Sequence, residues 1–381
     1  MTARHQSWVE VDLDAIAHNT REVVDLIAPT QVCGVVKADG YGHGAVAAAR
    51  ATVAGGATWL ATAYVSEGVA LREAGIDAPI LVLFEPAPDE MVDVVRHRLT
   101  PNVYTHPGID ALCKAVQSHA GKLAPYECHV EIDTGMNRTG VLPVDALSVW
   151  TRVRSEPTLR LAGVYMHYAA ADIAMHPSTP VQEQRFKQVL DEVEVDRSKV
   201  LVHACNSAAI IRDRQPRWDM ARIGILIFGL TSCQFPKPQW LRPAMTVRSR
   251  VGLVKRLPAG ESISYGHRYR VSRDSNVATV PFGYADGFAR NFGELGAEVL
   301  INAKRYPVVG TVTMDQLMVN CGDDAVSIDD EVVLLGSQGN QSLNADSFAP
   351  GLGMTPLEFV TKLGPRLTRV YTGSLAATLG Y

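Results

Sequence analysis

The chain has 381 residues, 47% of them apolar and 20% charged, with 36 Lys plus Arg against 40 Asp plus Glu and a formal charge of −4. That composition can fill the cores of two domains and excludes wholesale disorder. The acidic balance argues against a general nucleic-acid binder, while leaving room for a small anion held by a few local cations.

The opening MTARHQSWVEVDLDAI alternates polar and apolar residues and lacks the basic-then-apolar order of a secretory signal. The longest apolar run, IGILIFGL at 223–230, is roughly half of what a membrane-spanning helix needs. A cytoplasmic protein with no membrane partner is therefore expected. Six cysteines, at 33, 113, 128, 205, 233 and 321, form no CxxC pair. Free thiols are expected, with no zinc or other metal site.

From about residue 15 to 230, short apolar runs alternate with helix-like stretches. The runs lie at 31–36, 57–62, 79–84, 101–104, 126–132, 161–166, 200–204 and 223–228. The helical stretches lie at 43–53, 66–74, 90–96, 108–120, 143–154 and 181–193. Repeated βα units of this spacing predict a parallel sheet, and eight of them predict a closed (β/α)₈ barrel. The segment CQFPKPQWLRPA, with three prolines, reads as a linker. Beyond it, β-rich runs at 245–257, 277–281, 298–301, 306–312, 317–319 and 331–335 are separated by Gly and Asp clusters, with one clear helix at 356–363. The expected fold class is α/β plus all-β. Residues 1–235 form the barrel, and 236–381 form a mainly antiparallel β domain. The opening strand, about 7–13, is one that could pair with the C-terminal domain.

The first run of chemical interest is VVKADGYGHG at 35–44. Lys37 directly follows an apolar strand, and the C-terminal strand ends of such a barrel carry its catalytic groups. Partial desolvation there lowers a lysine from about 10.4 towards neutrality and makes it a nucleophile for an aldehyde. A lone strand-end lysine is more often a plain surface residue. The dense glycines and the Tyr–Gly–His context favour a bound cofactor, because bare backbone and a phenol are what such a ligand would use.

VVKADGYGHGA resembles the cofactor-lysine motif of the alanine racemases. Further segments recur in that family's order: WVEVDLDAIAHN (8–19), IDTGMNRTG (132–140), GVYMHYAAAD (163–172), HACNSAA (203–209) and ARIGILIFG (221–229). The second domain adds SISYGHRY (262–269), VPFGYADGFAR (280–290), VGTVTMDQ (309–316) and RLTRVY (366–371). The resemblance spans about residues 8–371.

The resemblance implies a homodimeric enzyme dependent on pyridoxal 5′-phosphate (PLP), with Lys37 holding the cofactor and serving as one base. Tyr265 matches the second base, delivered from the other subunit and supported by His167 and Arg222. Arg222 matches the residue facing the pyridine nitrogen. A guanidinium does not give up its proton, so that nitrogen would accept a hydrogen bond and stay unprotonated. His203 matches the residue that buttresses Arg222. Tyr41, Asn206, Ser207 and the amides of Gly224 and Ile225 match the phosphate site, although Asn206 and Ser207 also read as a simple helix cap. Arg138 matches the residue that contacts the PLP 3′-oxygen and the substrate carboxylate, and Met314 matches the one whose backbone amide, from the other chain, also reaches that carboxylate. Asp172, Tyr284 and Arg290 match the entry corridor, with Asp315 ordering the loop beside Met314.

Three positions depart from the family pattern. Glu131 stands where several members carry a lysine whose carbamate orients the equivalent of Arg138, and its carboxylate is expected to replace that group. Leu357 and Thr311 stand where the family commonly has a tyrosine and an arginine in the corridor, which predicts a wider gate. The expected activity is interconversion of L- and D-alanine, supplying D-alanine for peptidoglycan. The alternatives are a racemase of broader specificity that takes serine or 2-aminobutyrate, a decarboxylase of related architecture, and a PLP-binding carrier without activity.

Overall fold

A computed structural model describes residues 6–119, 125–213, 218–231 and 234–381. The chain forms two compact units, one of Ile16–Leu241 and the other of residues 6–15 with Arg242–Tyr381.

The first unit is a parallel barrel. Its strands run in the spatial order Thr100–Pro101, Ile80–Val82, Trp59–Thr62, Gln31–Val35, Met220–Ile223, Leu201–His203, Leu159–Tyr165 and Tyr126–Glu131. A parallel bridge between Asn102 and His129 joins the two ends of this order, and the Val103 amide donates to the His129 carbonyl at 2.9 Å. Successive strands alternate with helices such as Ala45–Ala54, Val65–Glu73, His106–His119 and Ser178–Glu192. Residues two apart point to the same side of a strand. Cys33 and Val35 thus meet Trp59, Ala61, Leu81, Tyr165 and Met220 in one buried cluster. Gly163 is bare for a packing reason, since a Cβ there would come within 2.5 Å of the His129 ring.

The last barrel strand lies earlier than its sequence suggests. The expected strand at 223–228 is instead a 3₁₀ turn, Ile225–Phe228, and the strand is Met220–Ile223, paired with Gln31–Gly34. Gly224, at φ −106° and ψ −85°, breaks the extended backbone, and Gly229 in the left-handed region ends the turn. Leu226, Ile227 and Phe228 are all buried, so the run is uniformly apolar and carries no period that separates strand from helix.

The second unit is built on a ten-stranded sheet. Strand Trp8–Asp12 pairs antiparallel with Met245–Arg250 and parallel with Thr368–Thr372. The sheet continues through Glu331–Gln338, Glu298–Ile301, Lys304–Val309, Leu317–Gly322, Ser275–Val280 and Leu253–Leu257, all antiparallel. The expected single run at 245–257 is two strands, interrupted at Val251 and Gly252. A separate two-stranded ladder, Ser262–Ile263 with Tyr269–Arg270, carries Tyr265 in its connection.

Cys33, Cys113, Cys128, Cys205 and Cys321 are buried and unbridged, and Cys233 lies outside the described residues. Burial pushes the Cys33 thiol up to about 12, which marks it as packing rather than nucleophile. Among the described residues, no His, Cys, Asp and Glu side chains group as a metal site, and no helix is long and apolar enough to cross a membrane.

Candidate active site

Lys37 opens a five-residue turn of unusual handedness. Ala38 (φ 52°, ψ 53°), Asp39 (φ 54°, ψ 46°) and Gly40 (φ 61°, ψ 42°) are all left-handed, and Tyr41 follows at φ 52°. The turn closes with helical bonds, Gly40 N–H to the Val36 carbonyl and Gly42 N–H to the Ala38 carbonyl, both 3.0 Å. Each non-glycine residue in this region costs about 1–2 kcal/mol, so neighbours must hold it. Glu67 accepts the Ala38 amide at 2.6 Å, and Asp39 accepts the Ala45 amide at 2.9 Å. The Tyr41 ring packs on Phe228 at 5.2 Å between centroids. Burial holds the Lys37 ammonium below its ordinary range, the Arg138 charge acts in the same direction, and Glu67 opposes both.

Arg222, near the C-terminal end of the Met220–Ile223 strand, is buried and organises a chain of histidines. Its Nη1 donates to His203 Nδ1 at 2.7 Å, and its Nη2 donates to the Met166 carbonyl at 2.9 Å and to His167 Nδ1 at 3.2 Å. The guanidinium also lies over the Tyr165 ring, 4.6 Å from its centroid. An arginine has no acceptor, so both Nδ1 atoms must be unprotonated. His203 then carries its proton on Nε2 and donates to His129 Nδ1, 3.1 Å away. The proton of His129 is left on Nε2, which is buried with no partner. One guanidinium therefore sets the tautomers of three imidazoles.

Burial, reinforced by the Arg222 charge, pushes His129 and His167 down to about 3 and holds His203 well below its ordinary range. Lys37 and Arg138 also act on His167, which places these cationic groups around one imidazole. The pH dependence follows. Between about pH 6.5 and 3 the unfolded chain binds protons that these folded histidines exclude, so stability rises with pH and is lost as pH falls. At about pH 5 His129 and His167 contribute a slope near two protons, or about 3 kcal/mol per pH unit, and His203 acts in the same direction. Urea midpoints measured against pH should show this steep acid limb, and His129→Leu should remove about one proton from it.

Tyr41, Ser207 and Gly224 form a bare cradle. The Gly224 amide donates to Ser207 Oγ at 3.1 Å, and a Cβ on Gly224 would sit 2.6 Å from the Tyr41 hydroxyl. That hydroxyl makes no hydrogen bond among the described residues, and burial pushes it up to about 12, so it stays a donor. Ile225 begins the adjoining 3₁₀ turn. Asn206 caps the helix Ser207–Asp213, its Oδ1 accepting the Ala209 amide at 3.0 Å.

Glu131 ends its strand inside the barrel, 4% exposed. It accepts from Asn102 Nδ2 at 3.2 Å and from the Tyr165 hydroxyl at 3.5 Å, with a further bond from Thr139. Burial pushes its carboxyl up, opposed first by Thr139 and then by the Arg222 and Arg138 charges. Among the described residues no hydrogen bond or ion pair joins it to Arg138, which is exposed. The relation between the two is Coulombic. Asp172, half-buried, offers its carbonyl to the Gln234 amide.

The other expected residues lie in the second unit. Tyr265 is 66% exposed, in a connection where Ser264, Gly266 and His267 all have positive φ. Thr311, expected in the corridor, is instead buried beneath this connection. Its hydroxyl donates to the Tyr265 carbonyl at 2.9 Å, and Ser264 Oγ donates to the Thr311 carbonyl at 2.5 Å. Tyr284 and Met314 are exposed. Gly283 allows their loops to meet, since a Cβ there would lie 2.2 Å from the Met314 carbonyl. Arg366 clamps the same loop, donating to Asp286 at 2.6 and 3.0 Å and to Asp315 at 2.8 Å. The Arg290 carbonyl accepts the Val312 amide, and Leu357 is half-buried in the helix Pro356–Thr361.

Glu67, His129 and Arg366 were not anticipated as site residues. The one local signal was the acid three residues after Tyr64, where a helix-capping glutamate belongs.

Residues 11–232 match the family described as alanine racemase, N-terminal domain, and residues 244–371 match alanine racemase, C-terminal domain. The chain is 39% identical over 368 residues to an alanine racemase of Desulfovibrio desulfuricans, covering 96% of this chain and 97% of the relative. It is 38% identical to one of Thermobifida fusca, covering 96% and 98%. The crystal structure of alanine racemase from Bacillus anthracis with bound L-Ala-P is similar at a TM-score of 0.89 and 33% identity, covering 98% of this chain and 97% of that one. The alanine racemase structure from D-cycloserine-producing Streptomyces lavendulae is similar at 0.90 and 32% identity, with both chains covered in full. With both domain families matched in order and full-length relatives at this identity, the chain belongs to the alanine racemase family.

Proposed function

We propose that the protein interconverts L- and D-alanine with PLP held at Lys37, and that two copies share their sites. The observation that carries this reading is the pairing of a partly desolvated lysine at a barrel strand end with a guanidinium that locks its neighbouring imidazoles as neutral acceptors. The residues fit the cofactor. Tyr41, Ser207 and the Ile225 amide offer neutral donors for a phosphate, with the Gly224 amide held on Ser207 Oγ, in a cradle that any Cβ at Gly224 would fill. Three N–H groups of Arg222 are taken by His203, His167 and Met166, which leaves one on Nη1 and the one on Nε for a ring nitrogen. When bound, PLP supplies the electron withdrawal that weakens the substrate Cα–H bond.

The chain's own groups do the rest. Lys37 Nζ, whose charged form burial and Arg138 disfavour, is proposed to take or return the proton at one face of Cα. Inversion requires a second group on the opposite face, and the partner subunit's Tyr265 is proposed for it. Arg138 makes no hydrogen bond or ion pair among the described residues and is suited to the substrate carboxylate, as is the backbone of Met314. Glu131 supplies the buried negative charge that offsets Arg138 and Arg222. Tyr284, Asp172, Arg290 and Leu357 are assigned to the approach. The proposed setting is the cytoplasm, with D-alanine destined for the cell wall.

The test is direct. Purified, PLP-loaded protein given L-alanine in deuterium oxide should yield D-alanine with α-deuterium incorporated, and the reverse from D-alanine. Serine and 2-aminobutyrate run in parallel will show how far the leucine at 357 widens the choice. Absence of D-alanine and of deuterium exchange would reduce the protein to a binder of the cofactor.

A further inference from the structure

The turn that carries Lys37 has no right to persist on its own sequence, because Ala38, Asp39 and Tyr41 all sit in the region that L-residues avoid. Its downstream end is tied through Asp39, whose side chain accepts the Ala45 amide and whose carbonyl accepts the Gly44 amide. His43 Nδ1 lies 3.0 Å from the carbonyls of both Gly40 and Tyr41. The upstream end, next to the lysine, is tied among the described residues by the side chain of Glu67. Glu67 Oε1 accepts the Ala38 amide at 2.6 Å, and Oε2 accepts the amides of Ala63 at 2.8 Å and Tyr64 at 3.2 Å. One carboxylate thus joins the peptide that follows Lys37 to the start of the helix Val65–Glu73. It uses both oxygens, and the bond to Ala38 is short, as a charged acceptor makes it.

We propose that Glu67 is a positioning residue for Lys37: its carboxylate anchors the first peptide of the left-handed turn, so fixing where Nζ is presented, and places a counter-charge beside it. This rests on the reading of Lys37 as cofactor lysine and base. The groups that act on Lys37 are Arg138 and Glu67, of opposite sign, with His167 held neutral nearby. Removing the Glu67 charge leaves Arg138 unopposed, so the Lys37 ammonium should lose its proton at lower pH.

Three variants separate the roles. Glu67→Asp is one methylene shorter. It can still accept from Ala63 and Tyr64 and cap the helix, but it cannot also reach Ala38. Glu67→Gln keeps the size and loses the charge, and Glu67→Ala loses everything. The readout is competitive acetylation of Lys37 in cofactor-free protein across pH, with peptides quantified by mass spectrometry, beside the PLP dissociation constant and the melting temperature. Glu67→Gln and Glu67→Ala should move the Lys37 midpoint to lower pH and weaken PLP about tenfold. Glu67→Asp should melt near wild type and yet bind PLP several-fold more weakly, with kcat falling more than KM changes. If every variant that folds keeps the wild-type Lys37 midpoint and PLP affinity, Glu67 is a helix cap and the proposal fails. The underlying reading is judged separately: PLP should protect Lys37 from acetylation in the wild type, and lack of protection sinks the lysine assignment whatever the variants do.

Discussion

Replacing Lys37 by alanine is expected to lower racemisation by at least about 10³-fold, because on the proposed reading one change removes both the attachment point of the cofactor and one of two bases. The fold should survive it. Lys37 is half-buried and makes no hydrogen bond to the protein among the described residues, and its neighbours in the turn are held by Glu67, Asp39 and His43. Burial and Arg138 both disfavour the charged lysine, so removing it relieves rather than creates an uncompensated charge. The variant should therefore melt close to the wild type while borohydride treatment fixes no PLP on the chain. Borohydride-fixed PLP on a different lysine, with activity retained, would move the attachment point elsewhere and end the assignment.

The second large effect concerns Tyr265. Its ring is mostly exposed, in a connection held by Thr311 and Ser264. A large aromatic left open in a backbone of three positive-φ residues is costly to maintain without a use. Tyr265→Phe keeps the ring and removes the only proton-carrying atom, so it should reduce racemisation by about 10²–10⁴-fold with little change in melting temperature. Mixed with Lys37→Ala and allowed to exchange subunits, the two inactive proteins should recover activity. With sites shared as proposed, a mixed dimer holds both wild-type groups at one site and neither at the other. At full exchange of equal amounts half of the dimers are mixed, so about a quarter of wild-type activity is the ceiling. Exchange demonstrated by mass, with no recovered turnover, would show that both bases come from one chain.

The barrel was legible because its strands are short, apolar and evenly spaced, and Lys37 was legible because it ends one of them. The last strand was misplaced for a reason internal to the pattern. MARI carries an arginine and looks less like a strand than ILIF, yet the arginine is there because a strand end is where Arg222 can reach His203 and His167. His129 was invisible because its partner is His203, far along the chain, and only strand order brings them within 3.1 Å. Glycines at 40, 42 and 44 hinted at positive φ, but nothing local in Ala38 or Asp39 announces it. Their conformation is imposed from outside, by Glu67 and by the Ala45 amide. Thr311 could be aligned but not interpreted, since its hydroxyl turned inward to the Tyr265 backbone instead of towards a ligand.

The reversed handedness of residues 38–41 also bears on when the protein becomes competent. A right-handed helix can nucleate from its own sequence, whereas the local bonds of this left-handed segment must be supplemented by ties to the helices beginning at Val65 and Ala45. It is therefore expected to form late in folding and to open before the rest of the rim. Amide exchange at Gly40 and Gly42, whose N–H groups close the turn, should accordingly report openings far smaller than global unfolding. An incompletely assembled barrel would expose a lysine pointing nowhere in particular. On the reading of Lys37 as the cofactor lysine, conformational maturation and chemical readiness are expected to coincide, with the amine correctly placed only once the architecture around it is finished.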